Sequence, residues 1–197
     1  FTGWGQAATS TVGQQLRLWS EANYGQDLII NPRGAGIYYW ANNANPNIFD
    51  RAVLLSPSSS GVYQTDADCP TICNIVGISD ASRFVIAFGA NSYLPATPGT
   101  DFDPMLVRWS DQENPYDWIP TVTNQAGEFR LSNGSLIMAS RATRQEILVW
   151  TDSCLYSMQY LGPPYVWGFN ILMDNISVMS PNSMITINNV TYWMGTD

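Results

Sequence analysis

Of the side chains that commonly do acid–base chemistry, this sequence of 197 residues has carboxylates but neither histidine nor lysine, so all eight of its positive charges are arginine. Without histidine there is no Ser/His/Asp or Cys/His triad, no imidazole zinc site, and no side chain that titrates unperturbed near neutrality. Without lysine there is no Schiff base and no P-loop. The chemistry left to an enzyme is that of paired carboxylates, as in glycoside hydrolysis. Glu113, Asp117, Glu128, Glu146, Asp152 and Asp174 are the candidates, and they are scattered over turns and strand ends. Two acidic groups facing each other across a cleft at about 5–9 Å would revive a hydrolase reading. Scattered as they are, the sequence reads as a non-enzyme with no cofactor.

Other motifs are equally weak as chemistry. The stretch WSDQENPYDW (109–118) supplies Ser110, Asp111 and Trp118 of an Asp box but lacks the Gly and Thr between them, and reads as an ordinary turn. Cys69, Cys73 and Cys154 are an odd number, and CPTIC (69–73) has the wrong gap for a CxxC site and no fourth metal ligand. All three read as reduced packing residues, which points to assembly in a cytoplasm. A Cys69–Cys73 bridge is the alternative. DAD (66–68) and DFD (101–103) offer carboxylates to calcium without the ligand loop that would hold it, so no metal is expected. The sequons at Asn133, Asn175 and Asn189 are expected by chance in so Asn-, Ser- and Thr-rich a chain, and the last falls in a predicted strand.

The elements that would position these residues are hairpins. EILVWTDSCLYSMQYLGPP (146–164) is a strand, a turn and a strand, and the plan recurs in DLIINPRGAGIYYW (27–40), in RFVIAFGAN (83–91) with DPMLVRWSD (103–111), and in SMITINNVTYWMGTD (183–197). Paired β-branched and aromatic runs around short polar turns are the hairpin signature. Recurrence roughly every 40 to 60 residues is the spacing of propeller blades. The expected fold is therefore all-β, a β-propeller-like array of hairpins, with a β-sandwich as the alternative. Residues 1–26 read as an extended arm or loop and 27–197 as the β-propeller-like domain. The loop at 91–104, with three prolines, is expected to project between two strands of one hairpin. The opening residues carry neither a signal peptide nor a membrane span, and the abrupt start and stop read as those of a segment of a longer protein.

Composition limits the partners. Charged residues make up only 12%, against about a quarter in ordinary domains, so the polar surface is built from Asn, Ser, Thr and Gln, as in large extracellular or virion β structures. A net charge of −8 and a pI near 4.2 argue against gripping nucleic acid, which needs a basic face. They fit a surface that lets DNA slide past without sticking, as well as plain solubility.

The run 88–197 resembles structural proteins of tailed bacteriophages, most of all the tail nozzle or tail tubular protein B group of short-tailed phages. The pieces that carry the resemblance are RWSD…NP.DW.P, NQAGEFRLSNGS, ILVWTD..LYSMQY.GPP and the closing YWMG, with LRLWSEANYGQDLIINPRGAGIYYW upstream. The resemblance implies a propeller-bearing subunit of a homo-oligomeric ring, six-fold in the nozzle group. Its partners would be copies of itself, tail adaptor and portal-proximal proteins and tail fibres, with transient passage of DNA through a virion tail assembled in the host cytoplasm. The family's proteins are several times longer.

In such a ring some of Arg130, Arg141 and Arg144, grouped around the NQAGEFRLSNGS to RATRQ connection, or else the 91–104 loop, are expected at a subunit interface, where planar guanidinium groups make fixed bidentate contacts. Three solvated loop arginines are the alternative. Several of Asp101, Asp103, Asp111, Glu113 and Asp117 are expected near the lumen or a loop rim. Two other functions stay open: a receptor- or glycan-binding tail module, favoured if Trp109, Trp118 and Trp167 are exposed, and a capsid-decorating structural protein.

Overall fold

A computed structural model of the chain describes residues 18–42, 51–55, 69–93 and 102–196, and every regular element within them is a β-strand. The first sheet is an antiparallel meander of β1 (Trp19–Tyr24), β2 (Asp27–Pro32), β3 (Tyr38–Trp40) and β4 (Val53–Leu54). The second repeats the plan with β5 (Cys73–Ile78), β6 (Val85–Asn91), β7 (Phe102–Trp109) and β8 (Gly127–Arg130). The third does so again with β9 (Ile137–Ala142), β10 (Ile147–Thr151), β11 (Cys154–Gly162) and β12 (Val166–Asp174). A two-stranded fourth sheet follows, β13 (Met184–Ile187) with β14 (Val190–Trp193). Strands thus neighbour one another in chain order throughout, as short hairpin connections favour.

The period-two alternation of side chains sorts each central strand between two cores. On β6, Val85 and Ala87 face a cluster with Ile29, Ile37 and Tyr39 of the first sheet region. Ile86 and Phe88, pointing the other way, meet Ile147, Val149 and Tyr156 of the third sheet. On β10 the pattern repeats one step on: Leu148 and Trp150 turn from that cluster toward Val178, Met184 and Trp193. Every residue of β6 and β10 is buried as a result. Three successive cores between four stacked sheets take the place of the single core of a sandwich. At the rim, Phe129 of β8 stacks on Phe169 of β12, ring centroids 4.6 Å apart, and so joins the outer edges of the second and third sheets.

Three local expectations are corrected, and the reading of the three cysteines as reduced packing residues holds against its alternative. Strand β1 lies inside the segment read as an arm. Its run WSEANY is poor in β-branched residues, but six residues pair with β2 and the Ser20 hydroxyl accepts a hydrogen bond from the Val76 N–H at 2.9 Å; residues 1–17 lie outside the described residues. The Cys69–Cys73 bridge does not form: all three cysteines are free and buried, and burial pushes the Cys73 thiol far above its ordinary pKa. The 91–104 loop is shorter than expected, because Phe102 to Pro104 belong to β7 and Asp103 pairs with Ala90; residues 94–101, Asp101 among them, lie outside the described residues, as do Asp66 and Asp68. Asn189 sits in a turn and not a strand. Asn188 and Asn189 both take positive φ, 48° and 65°, between the paired Ile187 and Val190, the geometry of a type I′ hairpin.

A buried charge ties the second sheet together. Arg108 is almost fully enclosed and donates to the backbone oxygen of Asn91 at 2.9 Å, with Glu128 beside it at 3.8 Å. Glu128 in turn accepts from the Ser92 hydroxyl at 2.7 Å and the Tyr93 N–H at 3.1 Å. A charge taken from water is tolerated only when partnered in this way.

Candidate functional site

The leading strands of the sheets converge. Strand β1 packs against β5 and β5 against β9, each of them the first strand of its sheet. Between them, and closed by the start of β13 at Met184, lies a cavity of about 650 Å³. Its wall includes Trp19, Glu21 and Asn23 from β1, which alternate with the inward Ser20 and Ala22 and are exposed. Arg33 follows β2, Asn74 comes from β5, Asp80 from the β5–β6 turn, and Arg141 from β9. Trp19, at 57% exposure, is the only exposed tryptophan among the described residues. The two arginines and two carboxylates are not paired with one another at salt-bridge distance. Burial lowers the Arg33 pKa, since taking a cation from water without a nearby anion disfavours its charged form. A second cavity, of about 570 Å³, lies next to the first, sharing Asp80 and Ala142 with it, and Arg144, Thr186, Asn188 and Asn189 help line it.

Of the three arginines grouped by sequence, the fold separates Arg130 from Arg141 and Arg144, which stay at two adjoining cavities. Arg130 lies on β8, the outer edge of the second sheet, and its Nε donates to Asp103 at 2.6 Å. Arg141 lies on β9, at the opposite, leading edge of the third sheet, and opens into the larger cavity. Arg144 sits at the smaller one. A connection that runs from the trailing edge of one sheet to the leading edge of the next carries its ends apart.

Of the acidic candidates, Asp103 is held by Arg130 and accepts the Met105 N–H at 2.9 Å. Asp111 accepts the Gln125 N–H at 2.7 Å, and Asp117 accepts from the Asn124 amide at 2.9 Å, so these two stitch one loop beside β7. Glu113, in the same loop, is exposed with φ of 58°. None of these four lines the larger cavity, whose carboxylates are Glu21 and Asp80.

Of the remaining carboxylates suggested for hydrolysis, Asp174 ends β12 and is exposed, while Glu146 and Asp152 hold structure. Glu146 accepts from the Ser157 hydroxyl and from Gln159 at 3.2 Å. Asp152 accepts the Ser135 N–H at 2.8 Å and the Ser135 hydroxyl. Burial works to raise the Asp152 pKa, but those bonds outweigh it and leave it below the ordinary value. Among the described residues no group of three or more His, Cys, Asp and Glu could hold a metal ion.

Trp109, Trp118 and Trp167 are all buried, which removes them as stacking surfaces. Trp109 donates from Nε1 to Gln125 and Trp118 to Pro115, at 2.8 and 2.9 Å. Among the described residues the exposed tryptophan is Trp19. Its run WSEANY has no regular apolar–polar alternation, and its companions at the cavity come from segments far apart along the chain, so the sequence carried no signal for the cavity.

The described residues contain no helix long and apolar enough to cross a membrane. Compared with known proteins, the chain matches no family model and no curated protein.

Proposed function

We propose that this chain is a structural subunit of a bacteriophage tail, a β-propeller-like array that assembles with copies of itself into a ring through which DNA passes. The observation that carries the reading is the stacking of antiparallel sheets in chain order with their leading strands bordering one cavity. Four-stranded blades around a central channel have that plan. The sequence resemblance to tail nozzle proteins supplies the setting: a virion tail, a six-fold ring, adaptor proteins and tail fibres as neighbours.

Two further features support it. The far face of the β13–β14 hairpin carries the cross-strand pairs Ile185–Tyr192 and Ile187–Val190, with Met194 beyond, each at least half exposed. An apolar sheet face of this kind suits burial against an adjacent subunit. The net charge of −8 opposes retention of a polyanion, and two of the described arginines are already engaged, Arg108 in the interior and Arg130 with Asp103. Asp111, Glu113 and Asp117 share one loop, which in this reading stands at the lumen rim.

Imaging the assembled tail particle tests the proposal. Expected is a closed ring with the β13–β14 face buried between subunits; a monomer, or a protein on the capsid shell away from the tail axis, would replace it with the decoration reading. Titration of duplex DNA by anisotropy is expected to give no appreciable binding even at low salt, and tight, salt-sensitive binding would refute passage without sticking.

A further inference from the structure

We infer that the cavity between β1, β5 and β9 is a binding site for a saccharide bearing a carboxylate. A single chain carries all the residues concerned, so the inference goes beyond the ring reading and does not depend on it.

The first argument is the platform. Trp19 is exposed at the cavity wall while every other described tryptophan is buried or half-buried. An indole left in water leaves apolar area uncovered, and its face is a flat surface that accepts the C–H side of a pyranose ring. Residues two apart on a strand stand on the same side about 7 Å apart, so Glu21 and then Asn23 follow the indole along one side of β1 and offer polar groups beside a ring seated on it.

The second argument is the mixed lining. Glu21, Arg33, Asp80 and Arg141 converge on one cavity, yet among the described residues none of their side chains has a hydrogen-bond or ion-pair partner. Two guanidinium groups without carboxylates offer planar forks for a ligand carboxylate. Two carboxylates offer acceptors only, which suit hydroxyl donors and disfavour a ligand carrying several negative charges, such as a nucleic acid. The ligand that satisfies both halves is rich in hydroxyls and carries one planar anion. The Asn23 and Asn74 amides, donor and acceptor in one group, fit the same chemistry. A cavity of about 650 Å³ holds one or two sugar rings.

The test is calorimetric titration of the full chain with oligomers of galacturonate, glucuronate and mannuronate, beside neutral oligomers of galactose, glucose and mannose. Expected is saturable binding of at least one uronate oligomer, tenfold or more tighter than its neutral counterpart. Trp19→Ala is expected to weaken that binding at least tenfold; because Trp19 is exposed, the variant should keep the parent far-UV spectrum and unfolding midpoint. Arg33→Gln and Arg141→Gln are expected to erase the preference for the uronate while leaving the weak neutral binding in place. Absence of binding by all three uronates, equal affinity for the neutral oligomers, or unchanged affinity in a folded Trp19→Ala protein would each overturn the inference.

Discussion

The hairpins β10–β11 and β13–β14 are made of the same materials. ILVWT turns through Asp152 and Ser153 into CLYSM, and MITI turns through Asn188 and Asn189 into VTYW. Yet β10 is buried at every residue, while β13 and β14 alternate between half-buried and exposed. The difference is one of neighbours. The third sheet lies between two cores, so both faces of β10 are covered. The fourth sheet packs one face, Met184 and Trp193, against Leu148 and Trp150, and leaves Ile185, Ile187, Val190 and Tyr192 exposed. Side-chain type therefore says that a strand has something to bury, and only the stacking of sheets says how much of it is buried.

The contrast predicts its own largest effect. Trp150 has no exposed surface and fills the core between the third and fourth sheets. Trp150→Ala is expected to cost about 3–5 kcal/mol in urea unfolding, whereas Tyr192→Ala on the exposed face should cost less than about 1 kcal/mol. Equal losses would break the comparison.

The same logic applies to ion pairs on the β7–β8 ladder, where Arg108 stands opposite Glu128 and is buried, and Arg130 reaches Asp103 at the surface. Arg108→Ala is expected to cost about 3–5 kcal/mol, because Glu128 loses its counter-charge and the Asn91 backbone oxygen its donor. Arg130→Ala should cost no more than about 1 kcal/mol and lose even that in high salt.

Close packing gives the next effect in size. A Cβ on Gly127 would stand 2.7 Å from the Trp109 ring across the ladder. Gly127→Val is expected to destabilise by about 1–3 kcal/mol through overpacking, and a stability equal to the parent's would show that the indole can move aside.

The smallest effect separates the two turns by pH. The Asp152 carboxylate, held by Ser135, has a folded pKa below its unfolded value of about 3.9. Its contribution is thus fully present above that value and is lost as pH falls through the lower, folded pKa. Asp152 is exposed, so solvent screening keeps the contribution below about 1 kcal/mol. Asp152→Asn and Ser135→Ala should lower the urea midpoint at pH 7 and lose that difference by about pH 2. The Asn188–Asn189 turn has no titrating group, and Asn188→Gly should shift the midpoint equally at both pH values.

The hairpins were legible because their causes are local. Aliphatic and aromatic runs around TDS and INN define pairs whose backbone hydrogen bonds close within a few residues, and the structure forms both. Strand β1 was missed because Ser20, Glu21, Ala22 and Asn23 have little strand preference; pairing with β2 and the Ser20 contact to Val76 override it. Arg130 and Arg141 looked like neighbours because they are close in the chain. The turn between sheets puts one at an outer edge and the other at a leading edge. The cavity was invisible for a related reason: Trp19, Arg33, Asn74 and Arg141 belong to three sheets or their flanks, and nothing in any one segment specifies the others.

By itself the sequence determined the all-β class, the hairpins, and the exclusion of histidine and lysine chemistry, since residue types, alternation and turn chemistry act over a few residues. The tertiary structure alone decided which faces are covered, which charges are paired and which residues meet at the leading strands. Those properties depend on the distance between segments remote in sequence, and burial and electrostatic pairing are set by that distance rather than by the identity of any residue on its own.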